Sequence, residues 1–202
     1  MKKIFLELQK KSLLKEISEK TFRELPNEIF IAYSVQYKTL AKRIRNILKD
    51  KKIVGFQQVL GCSSINSKSK NILLIGSGLF HAYNLFKQNN SIWIFEEDHL
   101  KKVSAEDFLE FEKIKKVSLV NYLNAKTVGI IVSTKPGQQN LKKAINFSKE
   151  QNKKFYLFLS NNTNFSEFEN FPNINSWINT ACPGLAYDSP KIINFSEIIA
   201  LS

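Results

Sequence analysis

Cysteine, histidine and glycine are scarce in this chain: its 202 residues include two cysteines, two histidines and seven glycines. Cys62 and Cys182 stand far apart with no C-x-x-C pair, so a self-contained zinc site is not expected. Acidic residues are also few, 18 against 30 lysines and arginines. No apolar run approaches the roughly 20 residues that a membrane span needs. The opening "MKKIFLELQKKSLL" starts like a signal peptide, but Glu7, Lys10 and Lys11 interrupt it and no small-residue cleavage site follows. A cytoplasmic protein is expected. A chain of this length buries roughly 70% of the surface its unfolded form exposes, so a packed core needs no disulfide.

What is abundant is positive charge, a formal net of +12. A basic surface gains affinity for phosphates by releasing counterions, so RNA or an acidic protein is a compatible partner. The lysines, however, are spread along the chain. Pairs such as Lys51-Lys52, Lys115-Lys116 and Lys153-Lys154 fall near expected element ends, and no RNA-binding aromatic motif, zinc finger or arginine-rich helix is present. Direct nucleic-acid binding is therefore not the expectation, and a Lys- and Asn-rich surface set by composition explains the charge.

The chain carries a repeat. "EIFIAYSVQYKTLAKRIRNILKDKKIVGFQQVLGCSS" and "VGIIVSTKPGQQNLKKAINFSKEQNKKFYLFLSNNTN" share one order, roughly 100 residues apart. Each opens on an apolar strand, Ile29 to Tyr33 or Val128 to Val132. A Ser/Gln turn follows, Ser34 and Gln36 or Ser133 and Gln138. Next comes an amphipathic helix, with Leu40, Ala41, Ile44, Ile47 and Leu48 on one face of the first and Leu141, Ala144 and Ile145 on one face of the second. A Lys-rich exit leads to another strand in both. The expected fold is α/β: two similar small parallel-sheet, Rossmann-like domains forming a pseudo-repeat, preceded by an N-terminal helix. The expected boundaries are 1–27 for the helical segment, stopped before Pro26, then 28–124 with Cys62 and 125–202 with Cys182. Before the second boundary, "SAEDFLEFEKIKKVSLVNYLNA" reads as one helix capped by Ser104, with Asp107 three residues on. Phe108, Phe111, Ile114 and Tyr122 are its expected buried face.

In parallel α/β sheets ligands gather beyond the carboxyl ends of the strands. Both cysteines, both Ser/Gln turns and the glycines of "NILLIGSGLFH" follow expected strands, so they are expected to border one crevice. Taken alone the glycine turn is a weak signal. "GSGLFH" matches only the first two glycines of G-x-G-x-x-G, with His81 where the third would stand, and "STKPGQ" lacks the P-loop pattern. Either turn alone could serve only to pack strand on helix. Thiolates hold iron–sulfur clusters, and distant cysteines converge when a fold brings strand ends together. Three cysteines leave one iron free to bind a small molecule; this chain has two, so a separate unit is expected to supply the third.

"QVLGC", "IGSGLFH", "GIIVSTKPGQ" and "TACPG", in this order and spacing, resemble the diphthamide-synthesis radical enzymes, the 2-(3-amino-3-carboxypropyl)histidine synthases. The likeness covers roughly residues 28 to 190 and corresponds to the second and third domains of that family. It implies a transferase with a 4Fe-4S cluster and S-adenosyl-L-methionine as co-substrate, which adds a 3-amino-3-carboxypropyl group to a histidine of elongation factor 2. It implies Cys62 and Cys182 as cluster ligands, and Gln36, Gly76, Ser77, Gly78, His81, Ser133, Lys135 and Gln138 as the S-adenosylmethionine pocket. Backbone N–H groups of the glycine turn would hold the methionine carboxylate. Asp188 matches an aspartate found shortly after the third cysteine, and turn formation is an equal explanation for it. Gly184 stands where the family has arginine, and Ala82 where it has proline. The implied partners are elongation factor 2 and a cysteine-bearing first-domain chain, a paralogue or a second copy. The alternatives are a non-catalytic accessory subunit that docks elongation factor 2 or an active paralogue, and a basic RNA-binding α/β module.

Overall fold

The computed structural model describes residues 17–66, 69–88 and 90–200. The chain divides into two units, Met1–Phe108 and Leu109–Ser202, each built on its own sheet. No helix among the described residues is long and apolar enough to cross a membrane.

In the first unit, strand β1 (Glu28–Tyr33) leads through helix α1 (Lys38–Ile47) to β2 (Lys52–Gln58). Strand β3 (Asn71–Ile75) then leads through α2 (Leu79–Phe86) to β4 (Ser91–Glu96) and the short β5 (His99–Lys102). The sheet order is β2-β1-β3-β4-β5, parallel except for β5. Strands covered on both faces read as unbroken apolar runs, and "IFIAY" of β1 and "ILLI" of β3 are buried throughout. Ile29, Ile31, Leu73, Ile75, Trp93 and Phe95 form one cluster with Ala41 and Ile44 of α1 and with Leu48, which caps its carboxyl end, so the 3.6-residue period of α1 holds.

In the second unit, α3 (Leu109–Asn124) precedes β6 (Thr127–Ser133), followed by α4 (Leu141–Glu150), β7 (Lys154–Ser160), β8 (Ser176–Asn179), β9 (Ile192–Asn194) and α5 (Phe195–Ile199). Its all-parallel order, β7-β6-β8-β9, is that of β2-β1-β3-β4 with each strand replaced by its counterpart. The pseudo-repeat is therefore topological as well as sequential. In α4 the buried pair is Ala144 and Phe147, with Leu141 and Ile145 only half-buried.

The expected N-terminal helix falls mostly outside the described residues. Its described end is a single 3-10 turn, Glu19–Phe22, whose Ser18 Oγ accepts the Lys20 N–H at 3.2 Å, and whose Phe22 ring meets Phe95 at 5.2 Å. The stretch read as one helix from Ser104 is two elements. A 3-10 turn, Glu106–Phe108, buries Phe108 against Tyr83 and Phe86 of the first unit. Helix α3 packs Leu119 and Tyr122 against Val128, Ile130 and Ile178 of the second. The units thus part between Phe108 and Leu109 rather than near Asn124.

Candidate functional site

Four chain exits line the carboxyl edge of the first sheet. After β1, Ser34 and Gln36 enter a 3-10 turn, Val35–Tyr37, with Gln36 exposed. The Ser34 N–H donates to Ile75 O at 3.2 Å, which ties this exit to that of β3. After β3, Gly76 is buried and its N–H reaches Phe95 O at 3.4 Å. Ser77 is exposed. Gly78, at the start of α2, has φ 76° and ψ 157°. Only glycine adopts that region without strain, so this residue type is set by the turn itself.

The Gly78 N–H already donates to Glu96 Oε2 at 3.4 Å. A carboxylate of the protein thus sits at the N–H expected to hold a ligand's, and a substrate carboxylate there would have to displace it. His81, one turn into α2, is half-buried; burial holds its imidazole below the ordinary pKa of 6.5 and favours the neutral ring. Its neighbour Phe80 lies 5.6 Å away, ring to ring, and packs on Gly61, where a Cβ would run into the Phe80 ring.

Gly61 introduces Cys62, which is exposed in the turn after β2. That turn is closed by the Leu60 N–H on Ser63 Oγ at 2.7 Å and the Ser63 N–H on Leu60 O at 3.0 Å. From α2, Asn84 Nδ2 donates to Gly61 O, and Gln88 Nε2 donates to Ser63 O at 3.4 Å. Cys62, the glycine turn and His81 are in this way parts of one assembly centred on α2.

The carboxyl edge of the second sheet carries the other candidates. Ser133 is buried at the end of β6 and its Oγ accepts the Lys135 N–H at 3.1 Å. Lys135 is exposed, and the Gln138 N–H turns back to Lys135 O at 3.1 Å. Cys182 follows β8, half-buried, and begins the 3-10 turn Pro183–Tyr187. Its loop is held by buried amides. Asn179 Oδ1 accepts the Ala181 N–H at 2.9 Å, while Asn179 Nδ2 donates to Cys182 O and to Asn194 Oδ1, both at 2.8 Å. Asn194 Nδ2 reaches Pro183 O at 3.2 Å. Tyr187 stacks on Phe111 of α3 at 4.8 Å; burial, then the Glu197 and Glu112 carboxylates, keep its phenol well above the ordinary range and protonated. Asp188 is exposed and closes the 3-10 turn through its own N–H on Leu185 O.

The cysteines are not equivalent in the repeat. Cys62 follows the second strand of its unit in chain order, whereas Cys182 follows the third, the position matching the Gly76–Gly78 turn. Asn84, Asn179 and Asn194 escape the sequence reading because asparagine is common throughout this chain and shows no period. The only cue is that Asn179 ends its strand just before the cysteine.

An iron–sulfur cluster asks for soft thiolates on loops at strand ends, and each unit offers one. Among the described residues no group of three or more His, Cys, Asp or Glu side chains converges to hold a metal. The donor on each unit therefore fits such a cluster in kind.

Comparison with known proteins gives matches in both sequence and structure. The profile of diphthamide synthesis proteins matches residues 1–198. The 2-(3-amino-3-carboxypropyl)histidine synthase of Pyrococcus horikoshii is 30% identical over 144 residues, covering 69% of this chain and 42% of that protein. Subunit 1 of the synthase of Yarrowia lipolytica is 29% identical over 140 residues, covering 65% of this chain and 32% of that protein. This chain thus spans less than half the length of these curated relatives. The crystal structure of Dph2 from Pyrococcus horikoshii with a 4Fe-4S cluster matches with a TM-score of 0.74 at 23% identity, covering 92% of this chain and 62% of that one. It shares the α/β fold.

Proposed function

Because this chain belongs to the diphthamide synthesis protein family, we propose that it is a subunit of a 3-amino-3-carboxypropyl transferase that modifies a histidine of elongation factor 2 in the cytoplasm. The observation that carries this reading is the pair of thiols, one per unit, each on a braced loop at the carboxyl edge of a parallel sheet. Cys62 and Cys182 would hold a 4Fe-4S cluster, with the third thiolate from a separate chain, a paralogue or a second copy. When bound, such a cluster would supply one-electron reducing chemistry toward S-adenosyl-L-methionine. The residues of this chain would do the rest. The Gly76–Gly78 turn, Ser77 and Gln36 would border the co-substrate on the first unit. Ser133, Lys135 and Gln138 would do so on the second, with the exposed Lys135 ammonium available to a carboxylate. His81 would present a neutral imidazole, able to donate from one ring nitrogen and accept at the other.

The test is anaerobic reconstitution with and without a cysteine-bearing first-domain chain, followed by absorption spectroscopy and mass analysis of elongation factor 2. The chain alone should hold cluster poorly; the assembly should hold it, transfer the group and lose both properties in Cys62→Ala or Cys182→Ala. Full transfer by both mutants would make the chain an accessory subunit that docks elongation factor 2 or an active paralogue. Absence of cluster together with steeply salt-dependent RNA binding would instead identify a basic RNA-binding module.

A further inference from the structure

The two cysteine loops leave topologically different strands, yet both are held by the same chemistry. In the first unit the carbonyls on either side of Cys62, Gly61 O and Ser63 O, accept from the side-chain amides of Asn84 and Gln88. Gln88 also accepts the Ile65 N–H further along the loop, at 3.2 Å. In the second unit Cys182 O and Pro183 O accept from the amides of Asn179 and Asn194. Asn140 Nδ2 holds Thr180 O, two residues ahead of the cysteine, at 2.8 Å. Asn179 and Asn194 are only 2% and 4% exposed. Both hydrogens of Asn179 Nδ2 are used, and its oxygen takes a third bond.

A side-chain amide suits this task better than any other group. It donates and accepts at once, so it can satisfy the mixed N–H and C=O groups of a non-repetitive turn. It carries no charge, so it braces the loop without adding an ion beside a thiolate. A hydroxyl has a single hydrogen to donate and cannot hold two carbonyls, and a lysine or carboxylate would add a charge.

We propose that Asn84 and Gln88 in the first unit, and Asn179 and Asn194 in the second, are positioning residues that fix the backbone of Cys62 and Cys182 and so aim their thiols. Asn84 sits on the helix that begins at Gly78 and carries His81, so the clamp also links the position of Cys62 to that of the glycine turn. The cluster reading of the preceding subsection explains why these loops need to be held. The clamp itself is a property of the protein and is measured without a cluster.

The experiment places a nitroxide label on each native cysteine of the full chain in turn, with the other cysteine replaced by serine, and reads its mobility by continuous-wave paramagnetic resonance. Asn84→Ala should shorten the rotational correlation time at Cys62, roughly two- to fivefold as a braced loop becomes a free one, and leave Cys182 unchanged. Asn194→Ala should do the converse. Gln88→Ala and Asn140→Ala, at less buried positions, repeat the two arms should either first variant fail to fold. Ile178→Val, which trims the core beside Asn179 without touching an amide, should leave the Cys182 label as it is. Labels that stay slow in the amide variants would overturn the proposal. So would labels at both cysteines loosening together, or a Cys182 label mobilised as much by Ile178→Val as by Asn194→Ala. A chain that binds no cluster but shows the paired local loosening would keep the clamp and discard the cluster.

Discussion

At Gly78 the backbone, not the surroundings, restricts the residue type. A Cβ there would meet nothing within 4 Å, yet φ is 76°. Gly78→Val should therefore cost about 1–3 kcal/mol of backbone strain, seen as a lower Tm of the first unit. If the turn borders the co-substrate, the same change should weaken S-adenosylmethionine binding in the assembled complex by more than the folding loss accounts for. Normal binding would leave the turn a structural one. His81 gives a pH signature. Its folded pKa lies below the ordinary 6.5, because burial disfavours the imidazolium. Below 6.5, down to the depressed folded value, the unfolded chain binds more protons than the folded one, so stability falls as pH falls; above 6.5 the term is flat. The Tm of the wild-type chain should drop as the pH falls from about 6.5 to about 5.5, and His81→Gln should flatten that drop. An equal drop in both proteins would place the effect elsewhere.

Single lysines terminate and tie elements. Lys153 Nζ reaches Tyr122 O at 3.1 Å, Leu123 O at 2.8 Å and Ala125 O at 2.7 Å, which closes the carboxyl end of α3 with a cation where the helix dipole is negative. Lys51 Nζ does similar work on Leu25 O at 2.6 Å, and Lys52 pairs with Glu28 at 2.7 Å. Lys153→Met keeps the apolar stem and removes the donors, and should lower stability by about 1.5–3 kcal/mol, the range for hydrogen bonds to a charged group. Denaturant unfolding of the second unit measures it, and a midpoint unchanged from wild type would mean that water replaces the cap. At the start of the same region Asp107 accepts the Ser104 N–H at 2.8 Å and pairs with Lys101, and the Lys101 hydrogen bond comes first in holding its carboxyl below the usual range. This makes one limb of the capping box that the sequence announces, but on the 3-10 turn ahead of α3.

Two units with separate cores make the position of the boundary a measurable property of the molecule. Tyr122, Leu119 and Ala125 complete the apolar cluster over β6 and β8, so α3 is part of the second unit's core. A fragment beginning at Leu109 should fold with a cooperative transition, whereas one beginning at Ala125 loses that cover and should not. Circular dichroism and thermal melts of the two fragments decide it; equal folding of both would return the boundary to Asn124. The formal net charge of the chain is +12. Because several of its lysines cap carbonyls or pair with carboxylates, part of the excess is structural rather than a binding stripe.

Much of this was legible in the residues alone, because it depends on local pattern. Buried apolar runs announce β1, β3 and β6, the period of Leu40, Ala41, Ile44 and Leu48 announces α1, and strand-turn-helix order announces parallel sheets with their loops at the carboxyl edge. Gly78 and the two cysteines could be singled out because glycine and cysteine are rare here. Tertiary structure decided what depends on which surfaces meet. A continuous helical pattern from Ser104 to Asn124 cannot reveal that Phe108 is buried by one core and Tyr122 by another. Nor can it reveal that Glu96 fills the Gly78 N–H, or that Asn84 and Asn194, alike in sequence to many exposed asparagines, brace the two cysteine loops. The hydrophobic period follows from backbone geometry within one element, whereas a hydrogen-bond partner is chosen by the folding of distant segments onto each other.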